Sequence, residues 1–157
     1  MSAVSNTTPL NYLILIGRAE ILRDLHELIV IPGAVYDELT SPNTPKLVKD
    51  WTLNKPDWVR VQEIPDITDS TLDEIQVGER QAIVLAQQIR SEFIILDDRR
   101  ARRLAHDRGL NVIGTLGILT TAAEKGFITL RGALDDLKKT NFRVSSSLLE
   151  SLAEDDR

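Results

Sequence analysis

The sequence predicts an α/β fold in which a central, mostly parallel twisted sheet is flanked by helices in three layers. Three observations predict it. Short apolar runs bounded by turn residues alternate along the chain with helix-periodic segments, the pattern of successive βα units. At 157 residues the chain fits one domain, taken here as 1–157, with room for a sizeable core. Apolar residues at 42% and charged residues at 27% are the proportions of a globular protein, so the runs have something to pack against.

In chain order, Ala3 to Ser5 reads as a strand ending at Asn6. Thr8 then stands as an N-cap with Pro9 at the first helical position, and Gly17 can stop that helix. A second amphipathic stretch carries Ile21, Leu22 and Leu25. Leu28 to Ile31 is a buried strand halted by Pro32 and Gly33, and Ala34 to Leu39 is a short helix bearing Asp37 and Glu38. Thr44 and Pro45 repeat the cap-plus-proline signal ahead of a helix that sets Leu47, Val48 and Trp51 on one face. From Trp58 to Ile64 the alternation is that of a polar-rimmed edge strand.

Pro65 to Val77 has no clear period. Gly78 opens a helix whose Ala82, Ile83, Ala86 and Ile89 share a face, and Phe93 to Leu96 is a strand arriving at Asp97 and Asp98. A helix from Arg99 to Arg108 closes at Gly109, Leu110 to Ile113 is the last strand, and Thr115 caps a helix that runs to Lys125 and stops at Gly126. Beyond it, helical patterns from about Leu130 to Lys139 and from near Ser147, where Ser147 and Glu150 have capping-box spacing, give C-terminal helices from about 130 to 154. They are placed to cover the sheet or to meet another chain.

Composition narrows the function. The absence of cysteine excludes disulfides, thiolate catalysis and Cys-type zinc sites, and two histidines, His26 and His106, make a poor basis for zinc. Both lie in helical patterns and are assigned no chemistry. No apolar stretch is long enough to cross a bilayer and no leader opens the chain, so no membrane partner and a cytoplasmic location are expected. With aromatics at 4%, no broad stacking platform for single-stranded nucleic acid is available. The net charge of -5 requires any polyanion to meet a local basic patch or bound metal. No Gly-rich phosphate loop follows the first strand, which argues against a nucleotide site.

In a parallel sheet, loops at the carboxyl ends of strands converge where ligands bind. Asn6, Asp97 and Asp98 fall there; Glu38 follows the second strand by less than two helical turns, and Glu79 stands in the first turn of its helix. Crowded carboxylates require a counter-charge, and oxygen-only donors select Mg²⁺ or Mn²⁺. Each residue has a plainer explanation too: a helix dipole favours Glu79, and Asp98 is placed to cap the next helix. Arg99, Arg100, Arg102, Arg103 and Arg108 are placed to grip phosphates or to pair within the fold, with Arg102 the best candidate to orient Asp98.

Four blocks in this order carry a family resemblance: Ser5-Asn6-Thr7-Thr8-Pro9-Leu10, the run from Ile31 through Glu38 to Leu39, the run from Gly78-Glu79 through Ile83, and Leu96-Asp97-Asp98-Arg99 with Arg102 and Ala105. Together with Gly114-Thr115-Leu116-Gly117, they resemble PIN-domain proteins of the DUF3368 branch, related to VapC-type toxin ribonucleases. The resemblance implies a PIN fold, Mg²⁺- or Mn²⁺-dependent hydrolysis of RNA, homodimers and a small antitoxin partner. Carried over by position, it places the metal ligands at Asn6, Glu38, Glu79 and Asp98, adds Asp97 as a fifth catalytic oxygen donor, and sets Thr7, Thr8, Arg99 and Arg102 toward substrate. Most PIN nucleases have Asp where Asn6 stands, so the alternative is a catalytically weak or inactive nucleic-acid-binding protein.

Overall fold

A continuous apolar run is what a strand covered by helices on each side requires, and the central strands here show it. In a computed structural model of the chain, the described residues are 1–65 and 69–142. They form a five-stranded sheet of β1 (Ser2–Ser5), β2 (Leu28–Pro32), β3 (Val59–Gln62), β4 (Phe93–Ile95) and β5 (Val112–Ile113), in the order β3-β2-β1-β4-β5. Every pairing is parallel, and β1 sits centrally with Val4 opposite Val30 on one side and Ile94 on the other.

Helices α1 (Thr7–Leu15), α2 (Ile21–His26), α3 (Gly33–Leu39), α4 (Lys46–Leu53), α7 (Thr115–Glu124) and α8 (Leu130–Lys138) enclose one apolar cluster with Ala3, Ile29, Ile31, Val59 and Ile95. Helices α5 (Val77–Ile89) and α6 (Arg99–Asp107) enclose a second with Val4, Val30, Ile94 and Leu96. Each buried Val, Leu or Ile side chain among these contributes roughly 1.5 to 3 kcal/mol of transfer free energy. The second face is thinner, covered by two helices and the segment around a 3₁₀ turn at Ser70–Leu72. There Arg108 donates to Asp69 at 2.6 Å, and bonds from the Thr71 hydroxyl and from Arg108 hold the Asp69 carboxyl down to about 2.

The expected elements are present, with local differences. Asn6, not Thr8, occupies the N-cap of α1, so Pro9 falls at the third helical position, where a missing N–H is still harmless. Gly114 rather than Thr115 precedes α7. Leu47 is exposed, so the buried face of α4 narrows to Val48 and Thr52. β3 is an edge strand as expected, with Val59 buried and Arg60 exposed. Helix α8 packs against α7 and adds Leu130, Ala133, Leu134 and Leu137 to the first cluster. The helix expected near Ser147 lies outside the described residues.

His26 closes α2 in the interior, 5% exposed, against Phe93 at 5.4 Å between ring centroids. Neither ring nitrogen has a hydrogen-bond partner, and burial pushes its pKa below the ordinary 6.5 although Glu92 pulls the other way. Protonation is therefore favoured in the unfolded chain, and stability should fall as pH drops through 6.5. We expect urea melts to lose stability between about pH 8 and about pH 5, and His26→Leu to flatten that slope. A slope unchanged by the substitution would contradict the assignment.

Candidate active site

The sheet order creates the site. After β1 the chain turns into α1 on one face, and after β4 it turns into α6 on the other, so a crevice opens between the carboxyl ends of neighbouring strands. The Asn6 N–H donates to the Ile95 carbonyl at 3.0 Å and joins the two rims. Asn6 is 5% exposed, yet its side chain makes no hydrogen bond to a described residue and does not cap α1. The neighbouring Thr7 Oγ1 is buried without a partner as well.

Glu38 and Glu79 come to the crevice on α3 and α5. The contact that admits them is Gly78: a Cβ there would stand 2.8 Å from Glu38 Oε1 and 3.5 Å from Asn6 Oδ1. The absence of a side chain at Gly78 leaves the Glu38 carboxylate in place beside the start of α5. Glu79, the next residue, is 8% exposed and accepts from the Gln76 N–H at 3.1 Å through Oε1, completing a capping box with the Gln76 side chain. Burial pushes its carboxyl above the ordinary 4.5, and the negative charges of Asp98 and Glu38 push it the same way. Glu38 and Asp98 are therefore both within electrostatic reach of Glu79.

Asp98 caps α6, its Oδ2 accepting from the Ala101 N–H at 2.9 Å, and its other oxygen has no such partner. Asp97 is differently used. Its Oδ1 accepts from the Thr115 N–H at 2.7 Å and its Oδ2 from the Thr115 hydroxyl at 2.5 Å, so both oxygens hold the start of α7. Arg102 does not pair with Asp98; its Nη1 donates to the Leu96 carbonyl at 3.0 Å and lies against Gly114, where a Cβ would meet it. Arg108 and Arg100 pair with Asp69 and Glu74, while Arg99 is exposed and makes no ion pair with a described residue. Thr8, Arg99 and Arg102 line a cleft of about 880 Å³ that begins at Asp97 and Asp98.

The donor set is oxygen only, and Glu38, the second oxygen of Glu79, the free oxygen of Asp98 and the unpartnered Asn6 amide suit a hard cation. Among the described residues no three His, Asp or Glu side chains stand within reach of one ion, so side-chain rotation would have to bring them together. Gln76, Thr115, Gly78 and Gly114, which orient these acids, escape a reading for reactive groups. Gln76 and Glu79 do have capping-box spacing, but Gln is not among the preferred caps.

The family model of DUF3368, described as a PIN domain, matches residues 2–155. PIN domains are generally nucleases that use divalent metals. Among solved structures, the chain is similar to a PilT N-terminus domain protein from the hyperthermophilic archaeon Sulfolobus solfataricus P2, at 16% identity over 78% of this chain and 93% of that one, with a TM-score of 0.54. That likeness is one of fold. No curated protein matches. No helix among the described residues is long and apolar enough to cross a membrane.

The raised pKa of Glu79 has a testable sign. Ionising it costs more in the folded chain, so its contribution favours folding below about 4.5 and is lost as pH rises through the folded value. Glu79→Gln keeps an oxygen for the Gln76 N–H and removes the charge. In EDTA near neutral pH we expect the variant to melt higher, by about 0.5 to 2 kcal/mol of stability, with the gain vanishing in acid. A variant less stable than its parent at neutral pH would show that Glu79 serves the fold alone.

Proposed function

We propose that this chain, which belongs to the PIN-domain family DUF3368, is an endoribonuclease dependent on Mg²⁺ or Mn²⁺. The observation that carries the reading is the approach of Asn6 and Glu38 to Gly78, beside a Glu79 whose ionisation Glu38 and Asp98 both oppose, at the switch between β1 and β4. A divalent ion bound there supplies the Lewis acidity that activates a water and offsets charge on the leaving oxygen of a phosphodiester. Glu38, Glu79 and Asp98 would hold it with the Asn6 carbonyl oxygen. Asp97 acts through Thr115 in this reading, fixing α7 and the strand end that presents Asp98. Arg99 and Arg102, with the Thr7 and Thr8 hydroxyls, would steer the phosphate chain past the acids. A role as the toxin half of a toxin–antitoxin pair, with a small antitoxin and a homodimeric state, is supported by the resemblance to VapC-type ribonucleases alone.

A second reading has its own support. Asn6 removes one negative charge from the position where most PIN nucleases have Asp, and no three acids share an ion's reach among the described residues. Both favour a weak or inactive nucleic-acid binder. We expect Mn²⁺-dependent, EDTA-sensitive cleavage of RNA that Glu79→Gln and Asp98→Asn each reduce by at least about 100-fold. Cleavage indistinguishable among wild type, variants and EDTA controls would leave the binder. Asn6→Asp should strengthen Mg²⁺ binding in calorimetry by about 1 kcal/mol or more; unchanged affinity would remove Asn6 from the ligand set.

A further inference from the structure

Between β3 and α5, residues 69–76 cross the second sheet face with a single 3₁₀ turn and little burial of their own. Leu72 and Ile75 enter the second apolar cluster, while Ser70, Thr71, Asp73, Glu74 and Gln76 are exposed. Backbone bonds run along the segment, from the Leu72 N–H to the Asp69 carbonyl at 2.9 Å and from the Ile75 N–H to the Leu72 carbonyl at 3.4 Å. A stretch with so few buried side chains opens locally at small cost unless its ends are tied.

Both ends are tied. At the first, Arg108 Nη2 donates to Asp69 Oδ2 and to the Thr71 hydroxyl, each at 2.6 Å, and Arg108 Nη1 donates to Gln87 Oε1 on α5 at 3.0 Å. The Arg108 and Asp69 side chains are 23% and 30% exposed, so solvent screens this pair less than the more exposed pair of Arg100 with Glu74 at 3.6 Å. At the second end, the Gln76 N–H donates to Glu79 Oε1 at 3.1 Å, and Arg80 Nη1 donates to the Ile75 carbonyl at 3.2 Å. The Gln76 N–H aims the Glu79 carboxylate, so whatever steadies Gln76 steadies Glu79. Arg108 is also the C-cap of α6, whose N-cap is Asp98, about 15 Å away by the rise of an α-helix. One helix therefore presents Asp98 at its start and, at its end, fastens the segment that leads to Glu79.

We infer that Arg108 is a positioning residue for Glu79: by clamping Asp69 and Thr71 to the end of α6 it keeps residues 69–76 seated, and this keeps the Gln76 N–H on the Glu79 carboxylate. Its hydrogen bonds go to Asp69, Thr71 and Gln87, none of them among the crevice acids, so its influence runs through the backbone of the segment. For the effect on a bound cation, the inference rests on the nuclease reading. A clamp that served stability alone would fasten Thr71 without reaching Gln76.

The test is amide hydrogen exchange of the full chain by NMR in EDTA, read at Gln76 against Ile94, whose N–H donates to the Asn111 carbonyl within the sheet. Arg108→Met removes the donors and keeps a similar helix propensity; Asp69→Asn keeps an oxygen for the Thr71 N–H. We expect Gln76 exchange to quicken about ten-fold relative to Ile94 in both variants, and Arg108→Lys to recover part of the loss. Calorimetry should show Mn²⁺ affinity falling about three-fold in both, less than the roughly 10- to 100-fold that loss of a ligand's direct partner costs. The two substitutions change net charge in opposite directions, so a loss common to both is not a long-range charge effect. Gln76 exchange unmoved relative to Ile94 in either variant, or Mn²⁺ affinity that holds while Gln76 exchange quickens, overturns the inference. The expected exchange in a wild type that binds no Mn²⁺ upholds the positioning of Glu79 and ends the nuclease reading.

Discussion

The strand order places β1 beside β4 and sends the chain to opposite faces after each, and the rest of the architecture depends on this one constraint. A parallel sheet can only expose side chains for chemistry where its connections part, and here that point is joined by the Asn6 N–H to Ile95 carbonyl bond. Helix α3 brings Glu38 from the β2 side, and α5, packed against the other sheet face, starts so close to it that a Cβ at Gly78 would push the Glu38 carboxylate aside. Asn6, Glu38 and Gly78, distant in sequence, come together at this point.

The acids at that point have two duties. Glu79 closes a capping box and Asp98 caps α6, so each uses one oxygen for the fold and keeps the other for the crevice. Such capping bonds stabilise by roughly 0.5 to 2 kcal/mol and also fix where the carboxylate points. Burial and the neighbouring charges of Asp98 and Glu38 oppose this by penalising ionised Glu79. A crevice whose acids are held by caps and repel one another is stable on its own terms but gains from a cation. Asp97 shows the limit of the pattern, because Thr115 takes both of its oxygens.

Much of this is legible in the sequence, and the missing parts share a cause. Short continuous apolar runs ending at Asn6, Pro32 and Asp97 mark the parallel strands, and the glycines at 17, 109 and 126 stop helices with positive φ as their positions suggest. Glu38, Glu79 and Asp98 can be picked out because carboxylates at strand ends or in first helical turns are few. The division of labour between Asp97 and Asp98 is not legible: two adjacent acids leaving a strand point opposite ways, and only the position of Thr115 decides which is free. Arg102 looks four residues on from Asp98 like a helix pair, yet the Leu96 carbonyl, six residues back in the chain and adjacent in space, takes its guanidinium. Tyr12 and Phe142 are separated by 129 intervening positions, and no local period announces that they share a cleft.

The central claim is that Asn6, Glu38, Glu79 and Asp98 act as one ligand set for a hard cation. Crystals of the full chain grown with Mn²⁺, with data collected at an energy where manganese scatters anomalously, test it directly. The account expects an anomalous peak at the β1–β4 crevice, coordinated by oxygens of Glu38, Glu79 and Asp98. A peak confined to other carboxylates, or none at saturating Mn²⁺, would contradict it.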